Sequence, residues 1–239
     1  MSLSISVVIP AYGDCPHLLN LIDQIQAGET QPDEIIVSHS GPYDPTLEIK
    51  NHSSSVLTLH STERLLAGAA RNRGVEYATG SCLAFIDADV MPRLSWLSEH
   101  IGALYSVENR FCVGSVGVAK SGGYWGMCTW LLEFSEQTPW MQTGEQTGGA
   151  SCNMVVRKSD FLEQGGFPEA YQPGEDTVLF AKLRNKGLQQ WFVSSARVDH
   201  FNHSGFLPFY RQMRKLGYQS AQVRQRLPLK GALATRIRL

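Results

Sequence analysis

Cys82-Leu83-Ala84-Phe85-Ile86-Asp87-Ala88-Asp89 runs five apolar residues without a break into two carboxylates one residue apart. An apolar run of this length suits a strand covered on both faces, as strands of parallel sheets are. Folding alone gains nothing from two acidic groups placed directly after it. Asp-x-Asp is common in surface turns. At the carboxyl end of a central strand it has a sharper meaning, because converging carboxylates repel unless a cation neutralises them. Hard oxygen ligands suit Mg²⁺ or Mn²⁺, ions that keep positions for water and substrate phosphates. Asp87 and Asp89 are therefore candidate metal ligands.

The sequence upstream supplies the sheet that this strand would join. Ile5-Ser6-Val7-Val8-Ile9-Pro10 is a β-branched run stopped by proline, and Glu34-Ile35-Ile36-Val37 is a second strand, followed by a Ser/Gly/Pro-rich loop over 38–45. Residues 56–59 form a third strand. Between them, 16–27 has leucines and isoleucines at helical spacing with Gly28 as a stop, and 67–78 is a helix ended by Gly80. Alternating strands and helices at this spacing predict β-α-β units and a mostly parallel α/β sheet flanked by helices. Ligands bind such sheets beyond the carboxyl ends of the strands. Pro10-Tyr12, His39-Gly41 and Asp87-Asp89 all lie at such ends, so three loops converge on one crevice.

Downstream the texture changes. Residues 115–149 are rich in Gly, Thr and Gln, with Tyr124, Trp125, Trp130 and Trp140 among them, and suggest a lid or binding segment rather than another β-α unit. A strand over 152–156, the turn Gly165-Gly166-Phe167-Pro168, a helix over 175–186 and a strand around Trp191-Phe192-Val193 follow. We expect one domain over 1–239 in two functional halves, to about 114 and over about 115–205, with a basic helical tail from 206. Glu175-Asp176 opens the helix over 175–186. An acidic first turn complements the helix dipole. The same placement keeps a carboxylate ionised and aimed, as a general base for a substrate hydroxyl requires. His39, His200 and His203 are the histidines in loops or late in the chain. His200, just after the apparent strand, is the preferred one to complete an oxygen-rich metal site.

Composition sets the outer bounds. The 239 residues, 43% hydrophobic and 18% charged with a net charge of −1, are those of an ordinary globular protein. From His200 to Leu239 there is no Asp or Glu, whereas Arg211, Arg214, Lys215, Arg224, Arg226, Lys230, Arg236 and Arg238 all fall there. This asymmetry suits phosphate, an anionic membrane or an acidic partner; a solvated helical surface would also account for it. No nucleic-acid partner is expected. The five cysteines are scattered without a C-x-x-C pair, which excludes a zinc ribbon or a disulfide framework. With neither a signal segment nor an apolar run of membrane-spanning length, a cytoplasmic location is expected.

At this level the chain resembles the inverting family-2 glycosyltransferases of the GT-A fold, over nearly its whole length. Ser6-Val-Val-Ile-Pro-Ala-Tyr12, Pro32-Asp-Glu-Ile-Ile-Val37, Ala69-Ala-Arg-Asn-Arg-Gly74 and Phe85-Ile-Asp-Ala-Asp89 are similar to that family's donor-side motifs. Gly148-Gly-Ala-Ser-Cys-Asn-Met154, Gly165-Gly-Phe-Pro-Glu169 and Gly174-Glu-Asp176 are similar to its acceptor-side motifs. The resemblance implies a nucleoside-diphosphate sugar donor and a saccharide or lipid-linked hydroxyl acceptor. It implies that Pro10, Tyr12, His39, Ser40, Arg71 and Asp87 bind the nucleotide, and that Asp89, with Asp87 and His200, holds the metal. Asp176, with Glu175 beside it, would then deprotonate the acceptor.

One stretch departs from the family. Its second strand commonly runs into Asp-Asp-Gly-Ser, where an aspartate reads the base or ribose; here Ser38-His39-Ser40-Gly41-Pro42 stands instead. Neutral His39 or the Ser40 hydroxyl would have to supply the acceptor that a uridine imide requires. This change motivates one alternative, a non-catalytic nucleotide-sugar-binding or assembly subunit, against which the retained Asp87, Asp89 and Asp176 argue. A sugar nucleotidyltransferase is the other, and Pro10-Ala11-Tyr12-Gly13-Asp14 lacks the Gly-rich, Arg-containing loop expected of it.

Overall fold

The computed structural model describes residues 3–119, 123–169, 174–202 and 204–226. The first half alternates β1 (Ile5–Tyr12), α1 (Leu18–Gln26), β2 (Glu34–Ser40), α2 (Thr46–His52), β3 (Val56–Ser61), α3 (Ala67–Tyr77) and β4 (Cys82–Ile86). The second half holds β5 (Val90–Pro92), α4 (Trp96–Ser106), β6 (Arg110–Val118), α5 (Gly123–Phe134), β7 (Gly144–Glu145) and β8 (Asn153–Arg157). It ends with α6 (Lys158–Glu163), α7 (Glu175–Asn185), β9 (Gln189–His200) and α8 (Phe206–Arg226).

All these strands join one sheet in the order β3-β2-β1-β4-β8-β6-β9-β5, with β7 added on β9. The expected parallel sheet is β3-β2-β1-β4. Beyond β4 the pairing is mixed: β8 runs antiparallel to both β4 and β6, while β6 and β9 are parallel. The alternation of side chains along each strand divides the core into two layers. Val7 and Ile9 of β1 pack with Ile22, Ile35 and Trp96 on one face. Val8 packs with Ile36, Val75 and Phe85 on the other. Each such fully buried aliphatic side chain contributes roughly 1.5–3 kcal/mol relative to exposure. Gly74 brings α3 close to the sheet, since a Cβ there would lie 2.5 Å from Val8 Cγ1.

Two expectations are corrected. The loop expected to begin at Ser38 begins later, because β2 continues through Ser40 in register with Tyr12 of β1 and Ser61 of β3. The segment expected to be a lid contains the end of β6 and the helix α5. Trp130 is core rather than a binding platform: it is buried, and its indole N–H donates to the Val116 carbonyl at 2.9 Å. Trp140 remains exposed.

The polar hub of the second half is Asn153, which is fully buried at the start of β8. Its side-chain oxygen accepts from Trp96 Nε1 and faces His100 Nε2, both at 2.7 Å, while its amide donates to the Ser115 and Ala196 carbonyls. These bonds cross the Gly114/Ser115 irregularity between β6 and β9. Only a glycine fits at 114, because a Cβ would meet the Ala196 carbonyl oxygen at 2.2 Å. The result is a stiff frame for the strand that ends at His200.

Candidate functional site

Arg71 is the centre of the site. On α3 the buried positions Gly68, Arg71, Gly74 and Val75 recur at helical spacing, so an arginine points inward where a hydrophobe would normally sit. Its guanidinium donates to Asp87 Oδ1 at 2.6 Å and to Glu175 Oε1 at 3.2 Å. Its other boundary is the Phe167 ring, 5.2 Å away. Burial opposes the charge on Arg71, yet Asp87 and Glu175 outweigh it and raise its pKa. One buried cation therefore ties the end of β4 to the start of α7.

Glu175 and Asp176 arrive through a glycine turn. Gly174, with φ of 119°, occupies the left-handed region at the helix N-terminus and aims the first turn of α7 inward. Gly68 leaves room for it, since a Cβ there would lie 3.3 Å from Glu175 Cγ. Burial, then the charge of Asp176, raises the Glu175 pKa, and Arg71 offsets part of this. Burial also raises the Asp176 pKa, although the Thr177 N–H donates to its Oδ1 at 2.7 Å. Both shifts favour the protonated carboxyl, so burial overrides the expectation that the helix N-terminus keeps these groups ionised.

The second expected aspartate faces elsewhere. Val90 pairs with His200 in the antiparallel β5–β9 ladder, and the Phe201 N–H donates to the Asp89 carbonyl at 2.9 Å. This sets His200 Nε2 3.6 Å from Asp89 Oδ1. The imidazole packs on the Phe134 ring at 5.0 Å, and its buried Nδ1 has no hydrogen-bond partner among the described residues. Asp87 thus turns to Arg71 and Asp89 to His200. No cluster of three or more His, Cys, Asp or Glu side chains forms a ready-made metal site among the described residues. His203 lies outside them.

Of the residues expected to contact a nucleotide, His39 and Ser40 are buried in β2 and already hydrogen-bonded. His39 Nε2 lies 2.8 Å from the Gly13 carbonyl and must donate to it, so in the neutral ring Nδ1 is an acceptor. That nitrogen lies 3.1 Å from His60 Nδ1, which donates. Ser40 Oγ accepts from the Leu65 N–H at 3.1 Å. The His39 ring thus braces the loop after β1. Pro10 is buried within β1, whereas Tyr12 at its end is half exposed, with the Arg64 guanidinium 4.6 Å from its ring centre. Two participants went unread in the sequence, His60 and Arg64. His60 would have emerged from strand register, since it sits level with His39 and Ala11. Arg64 lies in a loop with no local signal.

Residues 6–166 match the family model for glycosyl transferase family 2. The chain belongs to that family. It is 30% identical over 197 residues to the glycosyltransferase AglE of Haloferax volcanii, covering 79% of this chain and 64% of AglE. It is 24% identical over 235 residues to the pre-mycofactocin glycosyltransferase of Mycobacterium tuberculosis, covering 95% of this chain and 49% of that protein. The chain thus spans between about half and two thirds of the length of these relatives. Among solved structures, GalNAc-T7 with UDP, GalNAc and Mn²⁺ superposes with a TM-score of 0.68 at 19% identity, over 95% of this chain and 52% of that one. Staphylococcus aureus TarS 1–349 with UDP gives 0.67 at 16% identity, over 97% and 68%. The fold is that of the GT-A glycosyltransferases. No helix among the described residues is long and apolar enough to cross a membrane.

Proposed function

We propose that this chain transfers a sugar from a nucleoside-diphosphate sugar to a hydroxyl acceptor, with inversion, in polysaccharide or glycolipid synthesis. The observation that supports it most directly is the Arg71 bridge, which brings Asp87 of the donor side and Glu175-Asp176 of the acceptor side to one point. Asp176 is the base: it accepts the acceptor hydroxyl's proton as the oxygen attacks the anomeric carbon from the face opposite the leaving diphosphate. Glu175 keeps the first turn of α7 fastened to Arg71. Asp87, held by the same guanidinium, would lie near the ribose and the metal. Tyr12, Arg71 and the loop braced by His39 bound the nucleotide, with residues to about 114 forming the donor half and those beyond it the acceptor half.

Asp89 and His200 would hold Mg²⁺ or Mn²⁺. Asp89 Oδ1 and His200 Nε2, 3.6 Å apart, would supply one oxygen and one nitrogen ligand, leaving the other positions to water and the diphosphate. Bound there, the ion would neutralise the departing diphosphate as a Lewis acid. GalNAc-T7 with UDP, GalNAc and Mn²⁺ and TarS 1–349 with UDP-GlcNAc, both similar in fold to this chain, support this donor class. A cytoplasmic location at the inner face of a membrane, reached through the basic C-terminal stretch, completes the reading.

The test is release of nucleoside diphosphate from a panel of donors with Mn²⁺. Asp176→Asn should lower turnover by about 10²–10⁴-fold, the usual worth of a positioned base. Identical release from both proteins removes Asp176 from that role. Absence of both donor binding and turnover across the panel favours a non-catalytic subunit instead.

A further inference from the structure

The helices α5 and α8 pack on one another beside the Asp89–His200 end of the site, and together they expose more apolar surface than a solvated helix pair needs. Trp125 of α5 lies against Phe206 and Phe209 of α8, with ring centres 5.0 and 5.2 Å apart. Gln212 of α8 donates to Glu133 of α5 at 2.9 Å. Phe209, Gln212, Met213 and Leu216 are thus the inward side of α8, all half-buried. The opposite side presents Leu207, Arg211, Arg214 and Tyr218 at helical spacing, all exposed, with Tyr210 at its edge. Tyr218 is 68% exposed and Leu207 61%. On α5, Tyr124 and Leu132 are 73% and 63% exposed.

The charge on this surface has one sign. Helix α8 contains no acidic residue, and the only one on α5 is Glu133, which is half-buried and bonded to Gln212. A face that mixes tyrosine and leucine with arginine and lacks carboxylates matches a lipid headgroup region, where aromatic rings sit at the interface and basic groups meet anionic phosphates. We propose that the α5–α8 face docks the protein on an anionic bilayer. The inference rests on the transferase reading for its purpose: Phe134 of α5 packs on His200 and the Ala119 N–H donates to the His200 carbonyl at 3.0 Å. The docked face is therefore contiguous with the site, and a lipid-linked hydroxyl acceptor reaches it from the membrane plane. Arg211, Arg214 and Lys215, three of the basic residues that composition singled out, thus form one flank of an amphipathic helix pair.

The experiment is co-sedimentation of the full chain with vesicles of phosphatidylcholine alone or mixed with phosphatidylglycerol, alongside nucleoside-diphosphate release in solution. Wild type should sediment only with the anionic vesicles. Replacing Arg211, Arg214 and Lys215 together by alanine should weaken binding about a hundredfold, since each basic side chain near an anionic surface contributes about 1 kcal/mol. Leu207→Ser with Tyr218→Ser should also weaken it, at unchanged charge. Donor hydrolysis in solution should be unaltered in both variants, which also shows that they are folded. Wild type that does not sediment, or sediments equally with neutral vesicles, overturns the proposal. So does an unchanged Leu207→Ser/Tyr218→Ser variant, or a dimer in light scattering that this variant dissociates, which would make the face a contact between copies. Vesicle binding without any donor turnover would instead count against the transferase reading and leave the docking surface standing.

Discussion

Replacing Arg71 by methionine keeps most of the side chain's length and removes the charge on which the site is organised. Arg71 is 2% exposed and holds two carboxylates, at 2.6 and 3.2 Å, one of which, Glu175, is itself buried. Removing one partner of a buried ion pair costs roughly 3–5 kcal/mol, because the remaining charge is left uncompensated. Against a typical domain stability of about 5–15 kcal/mol, that is a large loss. The pH dependence separates this cause from simple loss of packing. Burial raises Glu175 and Asp176 above their ordinary values of 4.5 and 3.8, helped by the charge of Asp176 at Glu175 and that of Asp87 at Asp176. A carboxyl with a raised folded pKa destabilises fully above that pKa and progressively less as pH falls through it toward the unfolded value. Arg71 is what lowers the Glu175 pKa, so its loss moves that window upward. Urea unfolding of Arg71→Met should show its largest deficit at alkaline pH and a shrinking one on acidification. Adding Glu175→Gln should recover part of it, with a coupling of about 0.5–3 kcal/mol for residues in contact. A deficit below about 1 kcal/mol, the range of an exposed pair, would refute the reasoning. So would one that does not change with pH.

Three further outcomes follow from the same geometry. His200→Ala should raise the Mn²⁺ concentration needed for half-maximal nucleoside-diphosphate release by about tenfold or more, in line with losses seen when metal-site support is removed; an unchanged metal titration would take His200 out of the site. Restoring the family's carboxylate with His39→Asp should destabilise the chain by about 1–3 kcal/mol in urea, because aspartate, buried at this position, cannot donate to the Gly13 carbonyl; a neutral or stabilising effect would mean that the histidine braces nothing. Because burial raises the Asp176 pKa above 3.8, the acid limb of the turnover profile should lie above that value and vanish in Asp176→Asn; a limb that persists in the variant would belong to another group.

The parallel half of the sheet was legible in the sequence because parallel strands buried on both faces are written as continuous apolar runs. Ile5–Pro10, Glu34–Val37 and Cys82–Ile86 needed no partner to be recognised, and the aspartates after the last run inherited their position from it. The helix opening at Glu175 was equally local, set by Gly174 and an acidic first turn. Tertiary structure decided what those groups do to one another. Arg71 is one charged residue on a helix until α3 packs on the sheet and delivers it to Asp87 and Glu175, more than a hundred positions apart from the latter. His39 reads in the sequence as a loop residue; its register against Ala11 and His60 places it in β2, where the ring is buried and both nitrogens are hydrogen-bonded. The aromatic residues over 115–149 were separated in the same way, Trp130 entering the core and Trp140 staying outside. Local pattern determines which segments become strands and helices, through propensity and periodicity. Which polar groups meet depends on contacts distant in sequence, and for those only the packed chain supplies the distances.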